Sequence, residues 1–185
     1  MDARQTLIDE LRTHALVIGE VTLSSGRTAQ YYVDAKRATL RQPAFGALGE
    51  LVAGFAREVG ATAVGGLTMG ADPVACAALA AGFDGKAFFV RKETKQHGLQ
   101  RRVEGPLLDD ADRCLVVEDV VTTGGSTIQA IEALQADGRT IVGVVSVLDR
   151  LAGGAEAIQE AAGAGVPYRP LTTIDDVHPD RPDRG

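Results

Sequence analysis

The sequence predicts an α/β fold in which a central parallel sheet is flanked by helices. Apolar runs at 63–67, 86–90, 113–117 and 140–148 alternate with segments whose apolar residues recur at helical spacing. Strands that are apolar almost throughout are those covered on both faces, and alternation of strand and helix implies parallel pairing through helical crossovers. With 185 residues, the chain is long enough for one well-buried domain and too short for two large ones. One domain is therefore expected over 1–185, with an N-terminal helix and small cover over 1–40, a core over 41–174 and a frayed tail over 175–185.

In order, Leu7, Ile8, Leu11, Ala15 and Leu16 predict an amphipathic helix over 3–17 that stops at Gly19. Two β-prone runs between Glu20 and Asp34 flank Ser24-Ser25-Gly26-Arg27 and read as a hairpin, with Tyr31 and Tyr32 on opposite faces. Such a hairpin could roof a pocket. Pro43 fits the first turn of a helix carrying Phe45, Leu48, Leu51, Val52, Phe55 and Val59, which ends at Gly60. A Gly-containing turn over 68–72 leads into a small-residue helix over 73–81, and helices over 128–136 and 155–162 follow later strands. A last strand is expected over 167–174, before a tail with little aliphatic content.

The most informative stretch is Arg113 to Thr127, where a buried strand ends in Glu118 and Asp119 before Thr122-Thr123-Gly124-Gly125-Ser126-Thr127 opens a helix. Hydroxyls, unobstructed backbone N–H groups and a helix start together favour an anion, most simply a phosphate. The pattern is neither a Walker A loop nor a dinucleotide-binding turn. Two acids would repel a bare phosphate, so their fitting partners are sugar hydroxyls or a phosphate-bound Mg²⁺. The plainer reading is a strand-to-helix turn chosen for geometry and capping, and the acids weigh against it.

A second feature is the segment 91–102, which holds Arg91, Lys92, Lys95, His97, Arg101 and Arg102 in a chain of net charge −6. A long polar excursion between core strands is uncommon and often functional. It reads either as a solvated loop or as a cationic lid over a diphosphate. Arg150 follows the strand at 140–148, at the edge where open α/β sheets bind ligands, and could hold a carboxylate through two parallel hydrogen bonds. The acidic balance counts against a nucleic-acid partner. No run is long enough to span a membrane, and the N-terminus lacks a signal pattern. The two cysteines, Cys76 and Cys114, are expected as buried free thiols in a cytoplasmic protein.

Together these residues resemble the type I phosphoribosyltransferases, from about Thr22 to Arg150. Val116-Val117-Glu118-Asp119-Val120-Val121-Thr122-Thr123-Gly124-Gly125-Ser126-Thr127 is similar to that family's phosphoribosyl-diphosphate motif. Arg91-Lys92-Glu93-Thr94-Lys95-Gln96-His97-Gly98, the hairpin at 22–34 and Leu148-Asp149-Arg150 resemble the mobile loop, hood and base-binding turn of its orotate branch.

The resemblance implies that Glu118 and Asp119 hold ribose hydroxyls and orient a Mg²⁺ complex carried by the substrate, with no direct protein ligand to the metal. Thr122, Thr123, Gly124, Gly125 and Ser126 would take the 5′-phosphate, Arg91, Lys92, Lys95 and His97 the diphosphate, and Val120 and Val121 would line the same phosphoribosyl-diphosphate site. Lys95, His97 and Asp119 are implied as catalytic, Thr122 and Arg150 as orotate contacts, and a homodimer as sharing the loop 91–102. Ser24 stands where that family often has Lys, and Met69-Gly70 departs from its usual turn. A purine-specific relative would share the cradle without needing Arg150. A diphosphate-sensing regulator that binds nucleic acid would share the fold.

Overall fold

The computed structural model describes residues 2–22, 26, 28–93 and 102–183. Helix α1 (Ala3–Glu10) runs into one π-helical turn at Leu11–Ala15 and directly into strand β1 (Leu16–Thr22). The expected helix to residue 17 is thus two residues shorter, and Gly19 does not end it. Gly19 lies inside β1 at φ +129, where the register with β2 (Thr28–Val33) slips between Ile18 and Val21. A bulge needs a residue free of Cβ constraints at that point. The hairpin itself forms, antiparallel, with Tyr31 3% and Tyr32 40% exposed, so the two rings face opposite ways.

Helices α2 (Lys36–Thr39) and α3 (Ala44–Glu58) follow, with Pro43 one residue ahead of α3 rather than inside its first turn. The core then alternates β3 (Ala63–Leu67), α4 (Ala71–Ala80), β4 (Lys86–Val90), β5 (Val103–Glu104), β6 (Arg113–Val121), α5 (Gly125–Ala136), β7 (Thr140–Asp149), α6 (Gly154–Ala162), β8 (Tyr168–Thr173) and α7 (Ile174–Val177). The larger sheet has the order β5-β4-β3-β6-β7-β8. Its pairings are parallel except β4 with β5.

The alternation of strand side chains divides the core in two. Val64, Leu115, Val117, Val145 and Val147 pack on one face with residues of α1, α3 and α4, such as Leu7, Leu48, Val52 and Val74. Their neighbours in sequence, Ala63, Cys114, Val116 and Val144, face Ala130, Ile131 and Leu134 of α5 and Ile158 of α6 on the other. Covering both faces lets the central strands dispense with polar residues, and all five residues of β3 are buried. Cys114 is buried as expected, but Cys76 is exposed, because α4 turns Ala71, Val74, Ala75 and Ala78 inward instead.

The C-terminal segment is not frayed over its described residues. Thr173 and Asp176 form a reciprocal capping box at the start of α7, and Val177 is buried. Asp176 also accepts a hydrogen bond from Arg4 Nη2 at 2.7 Å, and Arg12 donates to the Asp176 carbonyl. Burial alone would raise the Asp176 carboxyl, but the Thr173 amide and the Arg4 guanidinium outweigh it and hold it below its ordinary value. Among the described residues no helix is long and apolar enough to cross a membrane.

Removing the cap with Asp176→Ala is expected to lower unfolding free energy by about 1–2 kcal/mol at pH 7. A depressed carboxylate stabilises above its unfolded pKa and loses that contribution as pH falls through its folded one. Urea unfolding at pH 7 and pH 3 should therefore show a gap between variant and wild type that closes in acid.

Candidate functional site

Successive crossovers leave β3 toward β4 on one side and β6 toward β7 and β8 on the other, so the order reverses between β3 and β6. The carboxyl ends of strands at such a reversal leave a crevice that loops cannot close, which is where open α/β sheets take ligands. Strand β6 runs four residues further than the apolar pattern predicts, carrying Glu118 and Asp119 into this crevice still in extended conformation and paired with β7.

Both acids are buried, Glu118 to 4% and Asp119 to 8% exposure. Their charges are handled differently. Burial, and then the adjacent Asp119, push the Glu118 carboxyl up to about 8. Glu118 also accepts hydrogen bonds from the Asp119 amide at 3.1 Å and from Thr127 Oγ1 at 3.4 Å. Asp119 instead meets Lys36 Nζ at 3.0 Å. Burial alone would lower the Lys36 amine, but Asp119 and Asp34 together raise it. Lys36 is a site residue that the apolar and motif patterns do not single out; its only signal is a cation two positions after the hairpin's Asp34. The turn after β3 closes the other side. A Cβ on Gly70 would come within 2.4 Å of Asp119 Oδ1, so the departure at Met69-Gly70 places bare backbone against the acid.

Beyond the acids, Val120, Val121, Thr122, Thr123, Gly124, Gly125, Ser126 and Thr127 line a cavity of about 320 Å³ with Glu118. Helix α5 begins at Gly125, three residues before the sequence pattern places it, so its first turn lies in the loop. Gly124 makes that possible. It adopts φ +83, and a Cβ there would meet Ile158 at 3.0 Å and the Gly154 carbonyl at 3.1 Å. The cradle is thus wedged against the start of α6, with N–H groups free of side-chain cover.

Thr122 also lines a second cavity, of about 500 Å³, with Thr28 to Tyr31, Arg150, Ala152, Pro182 and Asp183. The hairpin does roof this pocket. Arg150 is tied to the end of β6 through its amide, which donates to the Val121 carbonyl at 2.9 Å. Its guanidinium lies over the Tyr31 ring, 4.9 Å from the centroid, and its Nε is shielded from solvent without an acceptor among the described residues. Beneath it, Asp149 accepts from Leu151 N at 2.7 Å and from the Tyr168 hydroxyl at 2.8 Å, which also bonds Ser146 at 2.8 Å. This buried network holds a turn in which Leu151 has φ +55. Sequence reasoning missed Tyr168 because its hydroxyl acts through Asp149, one strand away.

A third cavity, of about 500 Å³, is lined by Thr68, Phe89, Arg91, Lys92, Glu93 and Glu104. Arg91 and Lys92 therefore stand at the carboxyl end of β4, on the same edge as the acid pair. The Arg91 amide donates to the Arg102 carbonyl at 2.8 Å, and Arg102 Nε returns to the Arg91 carbonyl at 3.2 Å. These bonds and the two-residue β5, absent from the sequence reading, clasp the two ends of the cationic segment. Lys95 and His97 lie outside the described residues, as does Ser24.

An anion cradle behind two acids at a sheet's reversal point, with cations beside it, defines a phosphoribosyl-transferring class of protein. Consistently, the family model described as Phosphoribosyl transferase domain matches residues 49–162. The orotate phosphoribosyltransferase of Streptomyces avermitilis is 51% identical over 172 residues, covering 91% of this chain and 93% of that protein. A crystal structure of Mycobacterium tuberculosis orotate phosphoribosyltransferase superposes with a TM-score of 0.84 at 46% identity, over 95% of this chain and 99% of that one. Another, in complex with 5-phospho-α-D-ribosyl 1-diphosphate, gives 0.79 at 41% identity, over 95% and 98%. The chain belongs to the orotate phosphoribosyltransferase family.

The raised Glu118 carboxyl has a measurable consequence. Between its unfolded value near 4.5 and its folded value of about 8, the folded chain holds an extra proton, so this group's contribution to stability falls as pH rises through that window. Glu118→Gln has no proton to lose. Its Tm relative to wild type is expected to rise by roughly 5–10 °C from pH 5 to pH 8.5. Parallel Tm profiles would mean that Glu118 is ionised throughout.

Proposed function

We propose that the protein transfers the 5-phosphoribosyl group from 5-phosphoribosyl 1-diphosphate to orotate, giving orotidine 5′-phosphate and diphosphate, a step in making UMP. The observation that carries this reading is the pairing at Thr122 of a phosphate-sized cradle with a pocket in which Arg150 keeps a shielded Nε without an acceptor among the described residues. A buried donor left unmatched among the described residues favours a ligand that brings the acceptor, and orotate brings a carboxylate. The relatives named as orotate phosphoribosyltransferases support the same acceptor.

In this reaction the anionic pyrimidine nitrogen forms a bond to C1′ while the bond from C1′ to the diphosphate oxygen breaks, its electron pair leaving with diphosphate. The ribose ring carries oxocarbenium-like charge between the two events. No protein nucleophile is required, so the protein's work is positioning, charge compensation and exclusion of water. Backbone N–H groups and hydroxyls from Thr122, Thr123, Gly124, Gly125 and Ser126 hold the 5′-phosphate. Glu118, its carboxyl raised by burial, and Asp119, paired with Lys36, receive the ribose hydroxyls. Arg91 and Lys92 meet the diphosphate, and Thr122 with Arg150 orients orotate.

Among the described residues no group of three or more His, Cys, Asp or Glu side chains is placed to cage a metal. With Asp119 already paired to Lys36, the donor set suits Mg²⁺ carried on the oxygens of the diphosphate substrate. When bound there, the ion neutralises the departing charge. Lys95 and His97 are assigned to the same task on the family resemblance, reaching across a homodimer through loop 91–102. The reading places the protein in the cytoplasm.

Two measurements test this reading. Consumption of orotate, assayed beside adenine, guanine, hypoxanthine and uracil, is expected for orotate alone, and Arg150→Ala is expected to raise the orotate KM about 10–100-fold with little change for the phosphoribosyl donor. Lys95→Ala is expected to lower kcat about 100-fold while leaving orotate binding near wild type. An unchanged kcat would take the loop out of the chemistry.

A further inference from the structure

The acceptor pocket has a wall that neither the strand–loop motifs nor the fold accounts for. Pro182 and Asp183, near the end of the chain, line it beside Arg150 and Tyr31. The Tyr31 hydroxyl donates to the Asp183 carboxylate, at 3.0 Å to Oδ2 and 3.2 Å to Oδ1. His178 stands edge-on to the same ring, 5.1 Å between centroids and 79° between planes. Tyr31 is therefore gripped from the C-terminal side on its hydroxyl and its ring, while Arg150 rests over that ring.

The segment that does this is anchored at several points. Arg181, whose side chain is only 10% exposed, pairs with Asp175 and, at 3.1 Å, with Asp183. Behind it, α7 is capped by Thr173 and Asp176 and tied to the N-terminal helix through Arg4. A tail with no role would gain nothing from a nearly buried arginine holding two of its own acids, since ordering each residue costs backbone entropy. Here the ordering ends on the Tyr31 ring, over which the guanidinium facing the acceptor lies.

We infer that residues 178–183 form part of the acceptor-base pocket, and that Asp183 is a positioning residue that holds Arg150 in place through Tyr31. The chain of contact is Asp183 to the Tyr31 hydroxyl, the Tyr31 ring to the Arg150 guanidinium, and the guanidinium to the carboxylate of the base. This rests on the proposed reaction for the identity of the base, and adds the C-terminal segment to its specificity-determining residues. An aromatic ring that can rock about its hinge presents a cation poorly; fixing both ends of the ring fixes the angle at which the guanidinium meets a planar carboxylate.

Steady-state kinetics on Asp183→Ala, Asp183→Asn and Tyr31→Phe test the inference. Asp183→Ala and Tyr31→Phe are each expected to raise the orotate KM about 3–10-fold, the cost of one hydrogen bond, with kcat and donor KM within 2-fold of wild type. Asp183→Asn keeps an acceptor for the hydroxyl and should restore most of the loss. The double variant should be no worse than either single one, and Asp183→Ala should add nothing in an Arg150→Ala background. An unchanged orotate KM in Asp183→Ala, or orotate and donor KM values rising together with a lowered Tm, would overturn it. The comparison is made on whichever of the five bases the wild-type chain consumes. Failure of orotate as a substrate thus counts against the reaction, and failure of Asp183→Ala to alter KM for the base consumed counts against the tail.

Discussion

Everything at the sheet edge depends on how two adjacent carboxyl groups are kept in a buried crevice that must also accept phosphates. Two unscreened charges there would repel each other and the ligand, and each would lose its hydration. The fold resolves this asymmetrically. Glu118 sits deeper, where burial pushes its carboxyl up to about 8, while Asp119 is paired with Lys36 at 3.0 Å. Lys36 is shared with Asp34 at 3.3 Å, so one cation bridges the hairpin's acid and the acid pair. Lys36 comes from the short α2 that follows the hairpin, so the cover over the acceptor pocket and the neutralisation of the acid pair are built by one continuous stretch of chain. The approach of Gly70 to Asp119 completes the arrangement, since any side chain there would displace the carboxylate from the lysine.

Around this centre the three cavities differ in the groups they present. The cradle at 122–127 relies on backbone donors at the start of α5, held against α6 where only glycine fits. The pocket at β4 supplies Arg91 and Lys92. The pocket under the hairpin supplies Arg150, which follows the Asp149 that Tyr168 holds and whose guanidinium lies over the Tyr31 ring. On the proposed reaction the three would be filled by two molecules, phosphoribosyl diphosphate in the cradle and the β4 pocket and orotate under the hairpin.

The parallel core was legible because it rests on patterns within single segments. β3 and β4 fall where their apolar runs place them, and β6 and β7 begin where theirs do. The cradle was legible for the same reason, since Thr122 to Ser126 are consecutive. What the sequence hid was pairwise and distant. Lys36 and Asp119 are 83 positions apart, and Tyr31 and Asp183 are 152 apart. No local period marks either contact. Gly19 misled because a glycine after an amphipathic run reads as a helix stop, whereas here it relaxes a bulge. The tail misled because Asp and Pro usually mark disorder, and its order comes instead from partners such as Arg4 and Tyr31 that lie at the other end of the chain.

That long-range closure bears on why the two chain ends meet. Arg4 and Arg12 of the first helical segment grip Asp176, and Tyr31 of the hairpin grips Asp183. The hairpin forms a separate two-stranded sheet, which alone has too little to bury for a fixed position. Packing of Tyr31 and Val33 into the core sets one side of it, and the C-terminal residues set the other. A roof over an acceptor pocket must admit its ligand and then hold a defined height above it. That roof is set between the core, through buried Tyr31 and Val33, and the tail, through the hydrogen bond from the Tyr31 hydroxyl to Asp183.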